Sequence, residues 1–247
     1  MIAGTNSGCG KTTVTCAVLQ ALVNRKINVS SFKCGPDYID PMFHKTVIGT
    51  AAYNLDTYLM SNDAVNYLLN KNSGDIAVIE GVMGFYDGFS FTEKGSTHEL
   101  SEITDTDVIL VVNCRGMSLS AMALVKGFKE FRKNNIKGVI FNNLSEKLYS
   151  NLSEECRKIG LVPLGFLPNI KDVQISSRHL GLVTAGEIDG IKDKMNILAD
   201  SAEKYIDIDK ILEISENNRD TKFTSLEITK KYNVKIAVAY DRAFCFY

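Results

Sequence analysis

The stretch Gly4-Thr5-Asn6-Ser7-Gly8-Cys9-Gly10-Lys11-Thr12-Thr13 decides the fold. Its glycines allow backbone N–H groups to curl around phosphate oxygens, and a helix beginning at the lysine turns its positive end toward the same anion. In this reading Asn6, Ser7, Gly8, Cys9, Gly10, Lys11, Thr12 and Thr13 bind ATP. Lys11 bridges the β- and γ-phosphates, and the Thr12 hydroxyl coordinates Mg2+. The spacing departs from G-x-x-x-x-G-K-[ST], because Thr5 stands where the first glycine belongs and Gly4 lies one place earlier. After the loop, Val14, Val18, Leu19 and Leu22 recur at helical spacing, the context such a loop requires.

Outward from the loop, apolar runs rich in branched residues at Val29–Phe32, Ile76–Ile79, Val108–Val112, Val139–Phe141 and Val162–Leu167 read as strands covered on both faces. Helical patterns at Asp63–Asn70, Ser118–Lys133 and Ser145–Ile159 alternate with them. The expectation is an α/β, P-loop NTPase-like fold: a mostly parallel sheet with helices on both faces and ligands at the carboxyl ends of the strands.

Two further clusters fall at predicted strand ends. Lys33-Cys34-Gly35-Pro36-Asp37-Tyr38-Ile39-Asp40-Pro41 sets two carboxylates in a turn; the plainer reading makes Asp37 a turn residue and Asp40 the cap of a helix near Pro41. Ile79-Glu80-Gly81-Val82-Met83-Gly84-Phe85-Tyr86-Asp87-Gly88 ends a buried strand on a carboxylate, the usual magnesium partner beside a phosphate loop, and carries Asp87 after a glycine turn. Asn142, at another strand end, is a candidate for reading an adenine edge, although paired asparagines are also turn formers. Arg115, Arg178 and His179 are cationic or ionisable groups suited to phosphate or a substrate carboxylate. His44, His98 and His179 form no metal-ligand spacing, and catalysis by them is not expected.

The chain of 247 residues has 45% hydrophobic and 23% charged residues and a formal net charge of -1, which gives no electrostatic reason to expect nucleic acid or an anionic membrane as partner. No apolar run reaches the roughly 20 residues a membrane span needs, so a cytoplasmic protein is expected. The six cysteines lack any CxxC pair and read as reduced structural residues. Met1-Ile2-Ala3 is short for the strand before such a loop, so a few preceding residues are expected. The expected organisation is an ATP-dependent synthetase unit over 1–212, a polar linker over 213–233, and over 234–247 a new strand opening a second unit.

Taken in order, GTNSGCGKTT, FKCGPDYIDP (Phe32–Pro41), NLDTYLM (Asn54–Met60), VIEGVMGFYDG (Val78–Gly88), VVNCRGMSLSA (Val111–Ala121), GVIFNN (Gly138–Asn143), VPLGFLP (Val162–Pro168) and SRHLGLVTAGE (Ser177–Glu187) resemble the synthetase domain of the cobyrinic acid a,c-diamide synthase family, within the dethiobiotin synthetase-like superfamily. IAVAYDRAFCFY (Ile236–Tyr247) resembles the first strand of that family's glutamine amidotransferase domain. The resemblance implies ATP-dependent amidation of the a and c acetate carboxylates of a corrinoid through an acyl phosphate, with ammonia from glutamine. It makes Asp37, Tyr38, Ile39, Asp40, Glu80 and Asp87 catalytic and places magnesium on Thr12, Glu80 and Asp37. Arg115, Arg178 and His179 then approach the corrinoid. Hydrogenobyrinic acid and nickel sirohydrochlorin are rival substrates, and homodimerisation stays open. A dethiobiotin-like ligase shares the loop but does not predict SRHLGL. A partition-type switch ATPase shares a deviant loop, but such proteins usually carry an early lysine that residues 4–10 lack, and they lack PDYIDP.

Overall fold

The computed structural model describes residues 1–37, 39–170, 190–216 and 233–239. Seven strands, β1 (Ile2–Gly4), β2 (Val29–Cys34), β3 (Ala51–Leu55), β4 (Ile76–Glu80), β5 (Val108–Asn113), β6 (Ile136–Asn142) and β7 (Val162–Leu167), form one sheet in the order β3-β2-β4-β1-β5-β6-β7. All six strand pairings are parallel. Parallel neighbours need crossovers, and the helices supply them: α1 (Lys11–Asn24), α2 (Ile39–Phe43), α3 (Asn62–Asn72), α4 (Thr97–Ile103), α5 (Ser120–Phe131), α6 (Glu146–Lys158), α7 (Ile191–Tyr205) and α8 (Ile208–Glu216). A π-helical turn, His44–Ile48, continues from α2.

The period-two alternation of each strand divides the core. In β5, Ile109 and Val111 join a cluster with Val14, Val18 and Leu22 of α1 and Met195, Leu198 and Ala202 of α7. Val108, Leu110 and Val112 point the other way, onto Val65 of α3, Leu100 of α4, Val125 of α5 and Leu152 of α6. Apolar surface is thereby removed from water on both faces, at about 25 cal/mol per Å2. Cys9, Cys16, Cys34, Cys114 and Cys156 are buried in these layers without forming disulfides. Burial pushes the Cys34 and Cys156 thiols up to about 12, which makes them inert packing groups.

Some elements differ from expectation. Strand β3 escaped the pattern because it is an edge strand whose residues alternate between exposed and half-buried until Leu55. Helix α8 runs past residue 212, and Ile211, Leu212 and Ile214 pack against the core, so the polar segment from 213, read as a linker or a surface helix, begins as the end of that helix. Of the strand expected over 234–240, residues 234–239 belong to no strand among the described residues and are exposed, with Val234, Ile236 and Val238 each at least two-thirds open to solvent.

Candidate active site

The phosphate loop joins the end of β1 to the start of α1 in the middle of the sheet. Its ends are tied down: Thr5 N–H donates to Val111 O at 3.2 Å, and Phe85 N–H donates to Gly4 O at 2.8 Å. Asn6, Ser7 and Gly8 stand exposed at the tip, while Cys9 and Lys11 are buried. Gly10, at φ 91°, turns the chain into α1 through the left-handed region that side chains disfavour. A Cβ there would collide with the Asn142 amide. That amide donates from Nδ2 to Cys9 O at 2.9 Å, so Asn142 buttresses the loop from the end of β6.

Beside the loop, strand register assembles a charged cluster. Lys33 of β2 and Glu80 of β4 are direct partners across a parallel pair, so their side chains leave the sheet on the same face. Val29 and Ile76, earlier on the same strands and in phase with them, pack against α1, so that face is the one its N-terminus covers. Glu80 is fully buried there. Its Oε1 accepts from Thr12 Oγ1 at 2.6 Å and from Lys33 Nζ at 3.2 Å. Lys33 Nζ also donates to Asp40 Oδ2 and, at 3.2 Å, to Gly81 O, and stands 4.0 Å from Asp37 Oδ2. Glu80 Oε2 lies 3.3 Å from His44 Nε2 but makes no hydrogen bond among the described residues.

Burial penalises each of these charges, and their mutual arrangement decides which survive. For Lys33 the carboxylates of Glu80, Asp40 and Asp37 outweigh burial and hold its ammonium above the usual lysine range. For Glu80, burial is overcome by Lys33, His44 and Lys11, which keep it ionised well below the usual carboxylate range. Asp40 goes the other way: burial and then the Glu80 charge push it up to about 6 against the pull of Lys33. The cluster thus holds one firmly ionised carboxylate, one cation and one carboxyl poised near neutrality.

The fold gathers Lys11, Thr12, Asp37, Asp40 and Glu80, with Ile39 at the start of α2. The capping assignment is corrected. Asp37, not Asp40, caps α2: its Oδ1 accepts from Ile39 N at 2.8 Å and from Asp40 N at 3.4 Å, while Asp40 turns inward to Lys33. Asp87 is exposed, and its Oδ2 accepts from Gly84 N at 3.0 Å, ordering the loop that packs on the phosphate loop. Arg115 is exposed beyond β5, its backbone N–H donating to Asn113 Oδ1. Thr13 is half-buried in the first turn of α1. Tyr38, Arg178 and His179 lie outside the described residues. The sequence reading missed Lys33 and His44. The signal for Lys33 was a lone lysine in a strand, VSSFKC, that is otherwise free of charge; for His44 there was no comparable signal.

A family model described as the CobQ/CobB/MinD/ParA nucleotide binding domain matches residues 1–183. The chain belongs to that family. The chain is 43% identical over 253 residues to a cobyrinate a,c-diamide synthase of Thermoplasma volcanium and 40% identical over 258 residues to one of Methanocaldococcus jannaschii. Both alignments cover 100% of this chain but 55% and 57% of the relatives, so the chain spans about half the length of the curated relatives it matches. Among solved structures it resembles the MinC:MinD cell division protein complex of Aquifex aeolicus, with a TM-score of 0.53, 14% identity and coverage of 86% of this chain and 95% of that one. The signal recognition particle receptor FtsY of Elizabethkingia anophelis gives a TM-score of 0.51 at 13% identity over 79% of this chain and 64% of that one. These likenesses show the α/β fold.

Two clefts, of about 720 and 500 Å3, lie at the opposite ends of the strands, the first lined by Asp107, Lys137, Lys210 and Glu213 and the second by Met1, Ile76 and Ile211. Ligands of open parallel sheets bind at the carboxyl ends, where the loop and the charged cluster are. Neither cleft lies at those ends.

Proposed function

We propose that this domain carries out the ATP-dependent step of a cobyrinate a,c-diamide synthase, converting the a and c acetate carboxylates of cobyrinic acid to amides. The observation that carries the reading is Glu80 held between Thr12 and Lys33 beside a phosphate loop, in a chain that aligns from end to end with cobyrinate a,c-diamide synthases.

A carboxylate is a poor electrophile toward ammonia. In this reading its oxygen attacks the γ-phosphorus of ATP, the bond to the bridging oxygen breaks, and ADP leaves. Ammonia then attacks the acyl carbon and gives up a proton, and inorganic phosphate departs with the former carboxylate oxygen. Catalysis of such a transfer is mostly positioning and charge neutralisation. Backbone N–H groups of residues 6–13 and Lys11 hold the phosphates. Asp40, with Tyr38 and Ile39, borders the reacting carboxylate, and Asp87 orders the loop across from them. Arg115, Arg178 and His179 are assigned to the carboxylates around the ring.

The residues present suit magnesium. Mg2+ takes one or two protein oxygens and completes its shell with phosphate and water. Glu80 supplies an ionised carboxylate, and the Thr12 hydroxyl lies directly beside its Oε1. Thr12 and Glu80 would hold the ion, with Asp37 as a further contributor, and when bound it neutralises charge on the transferred phosphoryl group. Ammonia in this reading comes from glutamine on a glutaminase unit.

The test is mass spectrometry of cobyrinic acid incubated with the protein, ATP, Mg2+ and ammonium. Two successive losses of 1 Da, each an OH replaced by NH2, are expected. Parallel reactions with hydrogenobyrinic acid and nickel sirohydrochlorin identify the preferred ring. ATP hydrolysis with no change in any tetrapyrrole would favour a switch ATPase instead.

A further inference from the structure

His44 has a place in the site that the proposed chemistry has not used. It lies 1% exposed in the first position of the π-helical turn His44–Ile48, directly after α2. Single π turns are rare and re-aim side chains, often at functional sites. The turn is pinned by its own backbone: Gly49 N–H and Thr50 N–H donate to His44 O at 3.0 and 3.3 Å, and Gly49 closes it at φ 84°. The ring is thereby held with Nε2 3.3 Å from Glu80 Oε2. Both atoms are buried, and neither makes a hydrogen bond among the described residues, so this approach is the one polar contact each has there. A buried ring nitrogen and a buried carboxylate oxygen without partners each cost free energy, so the two face each other for a reason beyond packing.

The other oxygen of the same carboxylate is engaged by Thr12 and Lys33. A glutamate held by contacts to one oxygen alone can still pivot about that oxygen through its side-chain torsions and carry the second oxygen away. We propose that His44 is a positioning residue for Glu80, fixing the plane of its carboxylate so that it meets a magnesium–nucleotide complex together with the Thr12 hydroxyl. Loss of an outer partner that orients a metal ligand typically costs about 10–100-fold in metal affinity. The inference rests on the magnesium role proposed above for Glu80.

The test is calorimetric titration with a non-hydrolysable ATP analogue, in Mg2+ and in EDTA, of the wild-type chain and the His44→Ala, His44→Gln, Glu80→Gln and His44→Ala/Glu80→Gln variants. In His44→Ala the tightening by Mg2+ is expected to fall by about ten- to hundredfold while affinity in EDTA stays within about twofold of wild type. His44→Gln returns an N–H donor at similar reach and is expected to restore most of the loss. The double variant should be no worse than Glu80→Gln alone, because a group that acts through Glu80 has nothing left to position. A His44→Ala variant with wild-type Mg2+ dependence would overturn the proposal, and so would additive losses in the double variant. If His44→Ala does not fold, a His44→Gln variant that folds yet binds Mg2+–nucleotide as poorly as Glu80→Gln overturns it, and wild-type binding by His44→Gln supports it. A wild-type chain that binds the analogue equally well in Mg2+ and EDTA would instead sink the magnesium reading itself.

Discussion

Thr12 Oγ1 donates to Glu80 Oε1 at 2.6 Å, joining the first turn of the helix after the phosphate loop to the end of a strand 68 residues later. This contact turns two separate sequence motifs into one oxygen pair next to the phosphate cradle. Glu80→Gln keeps the shape and the carbonyl acceptor for Thr12 but removes the charge. The variant is expected to fold as wild type by circular dichroism and to lose about a hundredfold or more in ATP-dependent amidation, the loss typical of removing one preorganised charge-stabilising group. Wild-type rates by mass spectrometry would show that Glu80 does not serve the transfer.

Lys33 is the cation on which the buried carboxylates depend. Its ammonium touches Asp40, Glu80 and Gly81 O and faces Asp37. Lys33→Met fills the same volume but leaves Glu80 and Asp40 facing each other without the ammonium that lies between them. Removing one partner of a buried ion pair costs about 3–5 kcal/mol. A fall of that size in the unfolding free energy, read from urea denaturation at neutral pH, is the expected result.

The loop, the alternation of strands and helices and the glutamate at the end of β4 were legible because each is a local pattern: a glycine run, a branched apolar run, a charge where the run stops. Lys33 and His44 were not legible as site residues. Lys33 acquires its role from the β2–β4 register, which puts it opposite a glutamate 47 residues away, and that pairing has no signature in either strand alone. His44 faces Glu80 from the start of a π turn that follows α2, an irregular turn that carries no periodic pattern in the sequence. The reversal of Asp37 and Asp40 has a similar origin. Both are good helix caps by composition, and only the presence of Lys33 beneath the turn decides which one turns inward.

Asp40 gives the site a pH dependence. Burial and the Glu80 charge push its carboxyl up from 3.8 to about 6. A carboxyl whose folded pKa is raised contributes stability that is complete below the unfolded value and is lost as pH rises through the folded one. The Asp40 contribution is therefore lost between about pH 4 and 6, and amounts to about 3 kcal/mol at 1.36 kcal/mol per pKa unit. Glu80, held low, works in the opposite direction: its contribution is present above its unfolded pKa and is lost as pH falls through its folded one. In Asp40→Asn the loss across pH 4–6 should vanish, so the stability of wild type relative to the variant should decline over that window. Carbon-13 titration of the Asp40 carboxyl should show a midpoint near 6 in wild type and a lower one in Glu80→Gln, which removes the charge that raises it. An unchanged midpoint in Glu80→Gln would show that burial alone sets it.

Gly8 and Gly10 separate backbone strain from steric conflict within the same loop. Both lie in the left-handed region, at φ 80° and 91°. A Cβ on Gly8 meets nothing within 4 Å, whereas one on Gly10 overlaps the Asn142 amide. Gly8→Ala should therefore cost about 1–2 kcal/mol of strain and no more. Gly10→Ala adds displacement of Asn142 and loss of its hydrogen bond to Cys9 O, worth about another 1 kcal/mol, and moves the loop that cradles phosphate. Asn142→Ala removes the obstruction together with the bond. The Gly10→Ala/Asn142→Ala pair should consequently lose less stability and less nucleotide affinity than the sum of the single changes, a coupling visible in a double-mutant cycle. Strict additivity in that cycle would mean that Asn142 does not support the loop through Gly10.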